Sequence, residues 1–303
     1  MNDRVRRCAI QNAETSRLLG VPYVPMYRTG LDVSEITPAR SPEPQDGTTS
    51  NIQTASPPPA QPGPLLIEVK ASGTSAQSTP PPEMDAPPGV PKLPAWLPTC
   101  DAATAASRTR EQARAALDAL RSRYEADAPH RHFKTDHHNI VWGEGDPRAS
   151  LMFIGEAPGE EEDKAGRPFV GRSGQLLDKM IIAMGLSREK VYIANTLKTR
   201  PPDNATPTLR ETHLCAPYLF EQIAIVGPKA IVTLGLPATR LILSTEATMG
   251  SLRGRWAGFT LPDGRRIPVM PTYHPAYVLR SYTDEVRGKV WSDLQLAMKK
   301  LAE

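Results

Sequence analysis

Phe169, Asn195 and His274 are residue types suited to detaching a planar base from a sugar. Breaking an N-glycosidic bond produces an oxocarbenium-like sugar and a departing base anion. A protein can stack on the base, read its polar edge and stabilise the negative charge of the leaving group. An aromatic ring, an amide and an imidazole donor match those tasks in that order. Glu156 adds a carboxylate able to orient water or face positive charge on the sugar. It sits in Gly155-Glu156-Ala157-Pro158-Gly159, where an apolar run ends, and four acids follow from Glu160 to Asp163. Taken singly, each signal has a plainer reading. Asn195 satisfies a turn, His274 is a loop histidine, Phe169 belongs to the core and the acids form a solvated face. Their predicted positions argue otherwise.

Strands and helices alternate from residue 150 onward. Apolar runs predict strands over 151–155, 191–197, 230–234 and 267–272. Helical spacing predicts helices over 110–126, 173–184, 208–226 and 285–301. Thr208 caps the third of these, Glu211 is its capping-box partner, and Gly227-Pro228 stops it. Such alternation argues for an α/β fold, a three-layer α/β/α arrangement around a central, mainly parallel four-stranded sheet. Glu156, Asn195 and His274 then each lie at a strand's carboxyl end or just past it. Those ends share one edge of a parallel sheet, where ligands bind.

Composition divides the rest. Of 32 prolines, 18 fall before residue 100, so that stretch cannot bury enough apolar surface to offset its ordering entropy. The expected organisation is a disordered N-terminal arm followed by one domain. Residues 1–25 carry a short helical segment, 26–104 form a Pro-rich linker, and 105–303 form the domain. The segment before the linker reads as a marginal, fraying helix; the alternative is a tethered peptide that docks a repair or replication protein. Charge splits the same way, net −2 before residue 105 and +5 after it. A modestly basic domain is compatible with a polyanionic partner. No stretch reaches the apolar length of a membrane span, and Arg6-Arg7 precedes no hydrophobic signal core. The expectation is a monomer without membrane association, cytoplasmic and nucleoid-associated. Cys8, Cys100 and Cys215 lie too far apart in sequence to imply a disulfide framework. His130, His132, His137 and His138 include an H-x-H spacing that can ligate zinc. No nearby cysteine or acid completes a tetrahedral set, so the reading is a wet loop and no metal site.

Several short motifs stand in order across this pattern: GEAPGEEED at 155–163, GRPFVG at 166–171, N-x-x-K at 195–198 followed by RPP at 200–202, LG at 234–235, RG at 253–254 and YHPAYVLR at 273–280. Over about residues 105–300 the chain thereby resembles the family-4 (type IV) enzymes of the uracil-DNA glycosylase superfamily. The resemblance implies hydrolysis of the N-glycosidic bond of uracil in DNA, leaving an abasic site for base-excision repair. It implies main-chain contacts to uracil near Glu156 and Ala157, with Gly159 and Glu162 beside them. Phe169 would stack on the base, Asn195 would pair with its O4 and N3 edge, and His274 would donate to O2. Tyr277, Val278, Leu279 and Arg280 would enter the minor groove, while Lys198, Arg200 and Arg253 would contact phosphates. The alternatives are a catalytically weakened DNA-binding module of the same fold, and a glycosylase for another deaminated base.

The chain departs from the family pattern in two ways. Better-known members of the superfamily carry a water-activating Asp where this chain has Ala157, which leaves Glu156 as first candidate for that duty and Glu162 as second. Family-4 enzymes usually hold a [4Fe–4S] cluster on four cysteines. Here the CxxC place reads Ala128-Pro129-His130-Arg131, the KCRPP place has Thr199, and only Cys215 of the four expected ligands remains. The expectation is therefore no cofactor, with packing and hydrogen bonds holding 128–140 to the 199–215 loop. The insertion associated with covalent uracil-DNA capture in one subgroup is missing after Arg200, which favours ordinary turnover.

Overall fold

A computed structural model describes residues 108–261 and 263–303. The segments expected at 1–25 and 26–104 lie outside the described residues.

Among the described residues, six strands form one sheet in the order β1-β3-β2-β4-β6-β5. They are β1 (Glu144–Gly145), β2 (Leu151–Gly155), β3 (Tyr192–Asn195), β4 (Ala230–Leu234), β5 (Ala257–Thr260) and β6 (Arg266–Thr272). The four expected strands are the four parallel ones, β3-β2-β4-β6. The expected count of four is corrected to six by an antiparallel strand on each edge. β1 has two residues and β5 begins Ala-Gly, so neither presents a period-2 apolar pattern.

Every residue of β2 and β4 is buried, as parallel strands covered on both faces require. Alternation along β2 assigns the two faces. Met152 and Ile154 point into a core with Leu117, Tyr124, Leu219 and Ile223; Leu151 and Phe153 point into another with Leu177, Ile181, Val290 and Leu294. Helices α1 (Arg110–Asp127), α4 (Leu209–Val226) and α5 (Leu236–Leu243) supply the first face. Helix α3 (Arg172–Ala183), α7 (Pro275–Arg280) and α8 (Asp284–Ala302) supply the second. The three-layer architecture is the expected one.

The expected capping box starts α4: the Glu211 N–H donates to Thr208 Oγ1 at 3.4 Å, and the Thr208 N–H donates to Glu211 Oε2 at 2.7 Å. Gly227, at φ +61°, ends the helix in the left-handed region. The run of acids does not form a loop. It makes a short helix, α2 (Glu160–Ala165), with carboxylates in the first turn where exposed N–H groups favour negative charge. Asp163 faces inward and accepts from the N–H groups of His138 and Asn139, each at 2.9 Å, and pairs with His138 Nδ1. Helix α6 (Met249–Leu252) is a single turn before β5. Among the described residues, no helix is long and apolar enough to cross a membrane.

Candidate active site

The carboxyl ends of β2, β3 and β6 open into a cleft of roughly 400 Å³. Its walls include Glu156, Ala157, Gly159, Glu162, Phe169, Asn195, His274 and Arg280, all expected, together with Ser173, Asn204 and Thr206, which were not. β2 pairs with β3 in a register that sets Gly155 beside Asn195. A Cβ on Gly155 would lie 2.4 Å from both Asn195 Oδ1 and a Phe169 ring carbon. The missing side chain is what lets amide and ring converge. Phe169 is itself at φ +53°, and Gly174 lets the start of α3 press against its carbonyl.

Asn195 is wholly buried apart from a 1 % residue of exposure, and its Oδ1 has no protein partner. A buried acceptor without a donor costs about 1–3 kcal/mol unless a ligand supplies one. An N–H on a planar ring entering the cleft would do so.

The His274 ring lies 5.6 Å from that of Phe169, tilted by 32°. His274 caps α7, and the Ala276 N–H donates to its Nδ1 at 3.1 Å. Nδ1 is thereby an acceptor, so the neutral ring carries its proton on Nε2. Burial, reinforced by the Arg280 charge, pushes the His274 pKa down to about 4. The imidazole is a neutral donor at physiological pH. Burial pushes the Glu156 pKa the other way, above the usual carboxylate range, with the Thr206 hydroxyl and Arg280 partly offsetting it.

Glu162 has a different occupation from the one expected. Its Oε1 accepts from the N–H groups of Val170 and Gly171, both at 2.8 Å, and its Oε2 accepts from Gly159 at 3.1 Å. Both oxygens serve the loop that carries Phe169. Glu162 is a positioning residue, and the second candidacy for water activation is withdrawn. Glu162→Gln turns one acceptor into a donor facing an N–H. It should lower stability by about 1–3 kcal/mol in urea melts and weaken excision through a displaced Phe169. Unchanged stability would remove this role.

Several expected DNA contacts are corrected. Lys198 is fully buried, its Nζ donating to the Asn195 carbonyl at 2.7 Å and to Gln222 Oε1 at 2.6 Å. It cannot reach a phosphate. Arg253 is paired with both Asp293 oxygens and the Lys289 carbonyl, tying α8 to the end of the turn Met249–Leu252. Arg200 braces the loop that lines the cleft, donating to Asn204 Oδ1 at 2.9 Å and facing Asp136 and Glu160. Within 277–280, Val278 is only 1 % exposed and belongs to the core, and Leu279 is half-buried. Tyr277 and Arg280 are the exposed pair.

Segment 128–141 is held to 198–200 by backbone bonds from Val141 to the Lys198 carbonyl (2.8 Å) and from Asp136 to the Arg200 carbonyl (2.9 Å). Tyr124 stacks on His130 alongside, and His137 meets His130 edge to face. Among the described residues, no group of three or more His, Cys, Asp or Glu side chains could hold a metal ion.

The comparisons with known proteins point the same way as the cleft. A model of the "Uracil DNA glycosylase superfamily" matches residues 142–295. The Type-4 uracil-DNA glycosylase of Thermotoga maritima is 43 % identical over 163 residues, covering 52 % of this chain and 81 % of the relative. That of Sulfurisphaera tokodaii is 48 % identical over 146 residues, covering 46 % and 66 %. That of Pyrobaculum aerophilum is 40 % identical over 162 residues, covering 52 % and 81 %. This likeness overturns the expectation of no cofactor, because the type-4 resemblance carries an iron–sulfur cluster with it. The donor set present does not fit a four-thiolate group: among the described residues the one free thiol is the buried Cys215, with Tyr124 and Lys198 about it.

Proposed function

We propose a division of labour within this cleft from one premise: the chain belongs to the uracil-DNA glycosylase superfamily and stands with its type-4 enzymes. It is a hydrolase that excises uracil from DNA in base-excision repair. The observation that carries the assignment of residues is the unpartnered, buried Oδ1 of Asn195. That oxygen accepts from N3–H of a flipped uracil while the amide nitrogen donates to O4. Phe169 packs on the base.

The bond between C1′ and N1 breaks with its electron pair leaving on the base, so negative charge spreads to O2. His274 Nε2–H donates to that oxygen. The imidazole suits this as a neutral donor whose orientation is fixed in advance by the Ala276 N–H. Water then forms a bond to C1′, and its proton passes to Glu156. A carboxylate with a raised pKa is a better base for that task than one at the surface. Thr206 and Arg280 hold Glu156 toward the cleft.

Partners finer than DNA extend this reading. The enzyme would work as a monomer on cytoplasmic, nucleoid DNA, with residues 1–25 as the place for a repair or replication protein to dock.

The test is base release from oligonucleotides carrying one uracil. Wild type should release uracil, and Glu156→Gln should slow single-turnover release by about 10²-fold. Binding of uracil-DNA by wild type without release would overturn the assignment and leave a DNA-binding module.

A further inference from the structure

Phe169 stands in a backbone conformation that phenylalanine seldom adopts, at φ +53°. Such a residue persists only where its surroundings over-determine it. Two planar peptide groups flank it, and their orientations set its φ and ψ. The following one is fixed by Glu162, which accepts the Val170 N–H at 2.8 Å. The preceding one carries the Pro168 carbonyl, and Arg188 Nη2 donates to that oxygen. Both planes are thus held by charged side chains, one from each side of the ring.

Arg188 lies in a single 3₁₀ turn (Arg188–Lys190) between α3 and β3. Every nitrogen of its guanidinium is used. Nε donates to Glu144 Oε1, Nη1 to Asp178 Oδ1 at 2.6 Å, and Nη2 to Pro168. The Arg188 side chain is 15 % exposed and that of Glu144 20 %, so water competes little for these charge-assisted bonds. Asp178 roots the guanidinium on α3, and Glu144 roots it on β1. That edge strand is itself pressed onto the sheet: Gly145, at φ +120°, meets the Val191 carbonyl where a Cβ has no room. Glu144 also accepts from Arg167 Nε at 2.7 Å, so residues 167 and 168 are tied to the same strand.

Ion pairs near a surface are common and most contribute little. Here two donors of a rigid fork are committed to fixed elements, and the third holds the peptide plane that aims a ring at the cleft. We propose that Arg188, seated on Glu144 and Asp178, is a positioning residue for base excision that keeps Phe169 in its stacking place. This rests on the uracil-excision reading above. The ring meets the base only after flipping, so loss of the brace should fall on the steps after DNA is bound. Affinity for DNA, set largely by phosphates, should not change.

The experiment measures maximal single-turnover release from a uracil oligonucleotide, with DNA affinity by fluorescence anisotropy. Arg188→Gln and Arg188→Lys are each compared alone and in a Phe169→Ala background. Arg188→Gln should lower the maximal rate about ten-fold with affinity unchanged, the scale of losing one charge-assisted hydrogen bond. Arg188→Lys keeps the charge without the fork and should lose about three-fold. It carries the test where Arg188→Gln melts below the assay temperature. In the Phe169→Ala background either change should alter the rate less than about two-fold, because the ring being positioned is gone. An equal loss in both backgrounds would overturn the proposal and leave a general staple. A second readout does not depend on turnover. The chain has five phenylalanines, and fluorine NMR of protein labelled with para-fluorophenylalanine follows them, Phe169 being assigned through Phe169→Leu. Arg188→Lys should shift or broaden the Phe169 line more than the other four. An unmoved Phe169 line would overturn the proposal even if activity fell. Failure of wild type to release uracil would count against the glycosylase reading, and the fluorine spectrum would still decide the brace.

Discussion

Asn195→Ala and His274→Ala should each slow single-turnover uracil release by about 10²–10³-fold, the scale of losing one preorganised donor to a developing anion. The two act on one leaving group from different sides. In the proposed reading Asn195 takes the N3 and O4 edge, whereas His274 meets the charge on O2. The double variant should therefore fall short of the product of the single losses, as residues acting as a unit do. Neither change should unfold the protein, and thermal melts are the control. Retained activity in both variants would move the chemistry out of this cleft. A pH arm sharpens the case for His274. Its pKa is held near 4, so release should show no loss from imidazole protonation as pH falls through 6.5. Stability carries the complementary signature. Between about 6.5 and 4 the unfolded chain binds a proton at this histidine that the folded chain refuses. The histidine's contribution is thus present above 6.5 and lost as pH falls through 4. The wild-type melting temperature should drop more steeply over that window than that of His274→Ala.

Legibility in the sequence followed the range of the interactions concerned. The core-facing positions Ala113, Leu117, Leu120 and Tyr124 of α1 repeat at helical spacing, and α4 announces its own cap and stop. The parallel strands are continuous apolar runs, so their carboxyl ends, and with them Glu156, Asn195 and His274, could be placed from local pattern alone. Partners distant in sequence decided what was missed. Nothing near Arg253 shows that Asp293, forty residues on, will take its guanidinium. Glu162 looks like its three acidic neighbours until the loop at 170–171 folds over it. Thr206 has no local signal at all, since its role depends on a loop that Arg200 and Asn204 fold back over the cleft. Pro275 after His274 reads as a loop, yet proline also suits the first turn of a helix, and α7 starts there.

Lys198 shows how far such a contact can reverse a reading, and it sets the largest stability effect. The family resemblance implies a phosphate contact at Lys198. The fold instead closes over it, with Trp142 5.3 Å away and both hydrogen-bond acceptors supplied internally. Lys198→Ala should destabilise the protein by about 3–5 kcal/mol in urea melts, because it opens a cavity and strands two buried acceptors. Lys198→Met keeps most of the volume and removes the need to bury an amine, so its cost should be smaller, about 1–3 kcal/mol. A surface lysine would show less than about 0.5 kcal/mol with either change, and its loss would lower the salt dependence of DNA binding. Burial pushes the Lys198 pKa down to about 7. From there up to its unfolded value near 10.4 the unfolded chain holds a proton that the folded chain lacks. Stability from this residue should accordingly rise with pH across that window and be lost as pH falls through 7, a slope that Lys198→Met should flatten. The Asn195 carbonyl that Lys198 holds belongs to the residue whose amide is proposed to read the base. Lys198→Met should therefore also slow uracil release at temperatures where it remains folded. A variant that loses stability but keeps full activity would show that β3 alone, without this brace, is enough to aim Asn195.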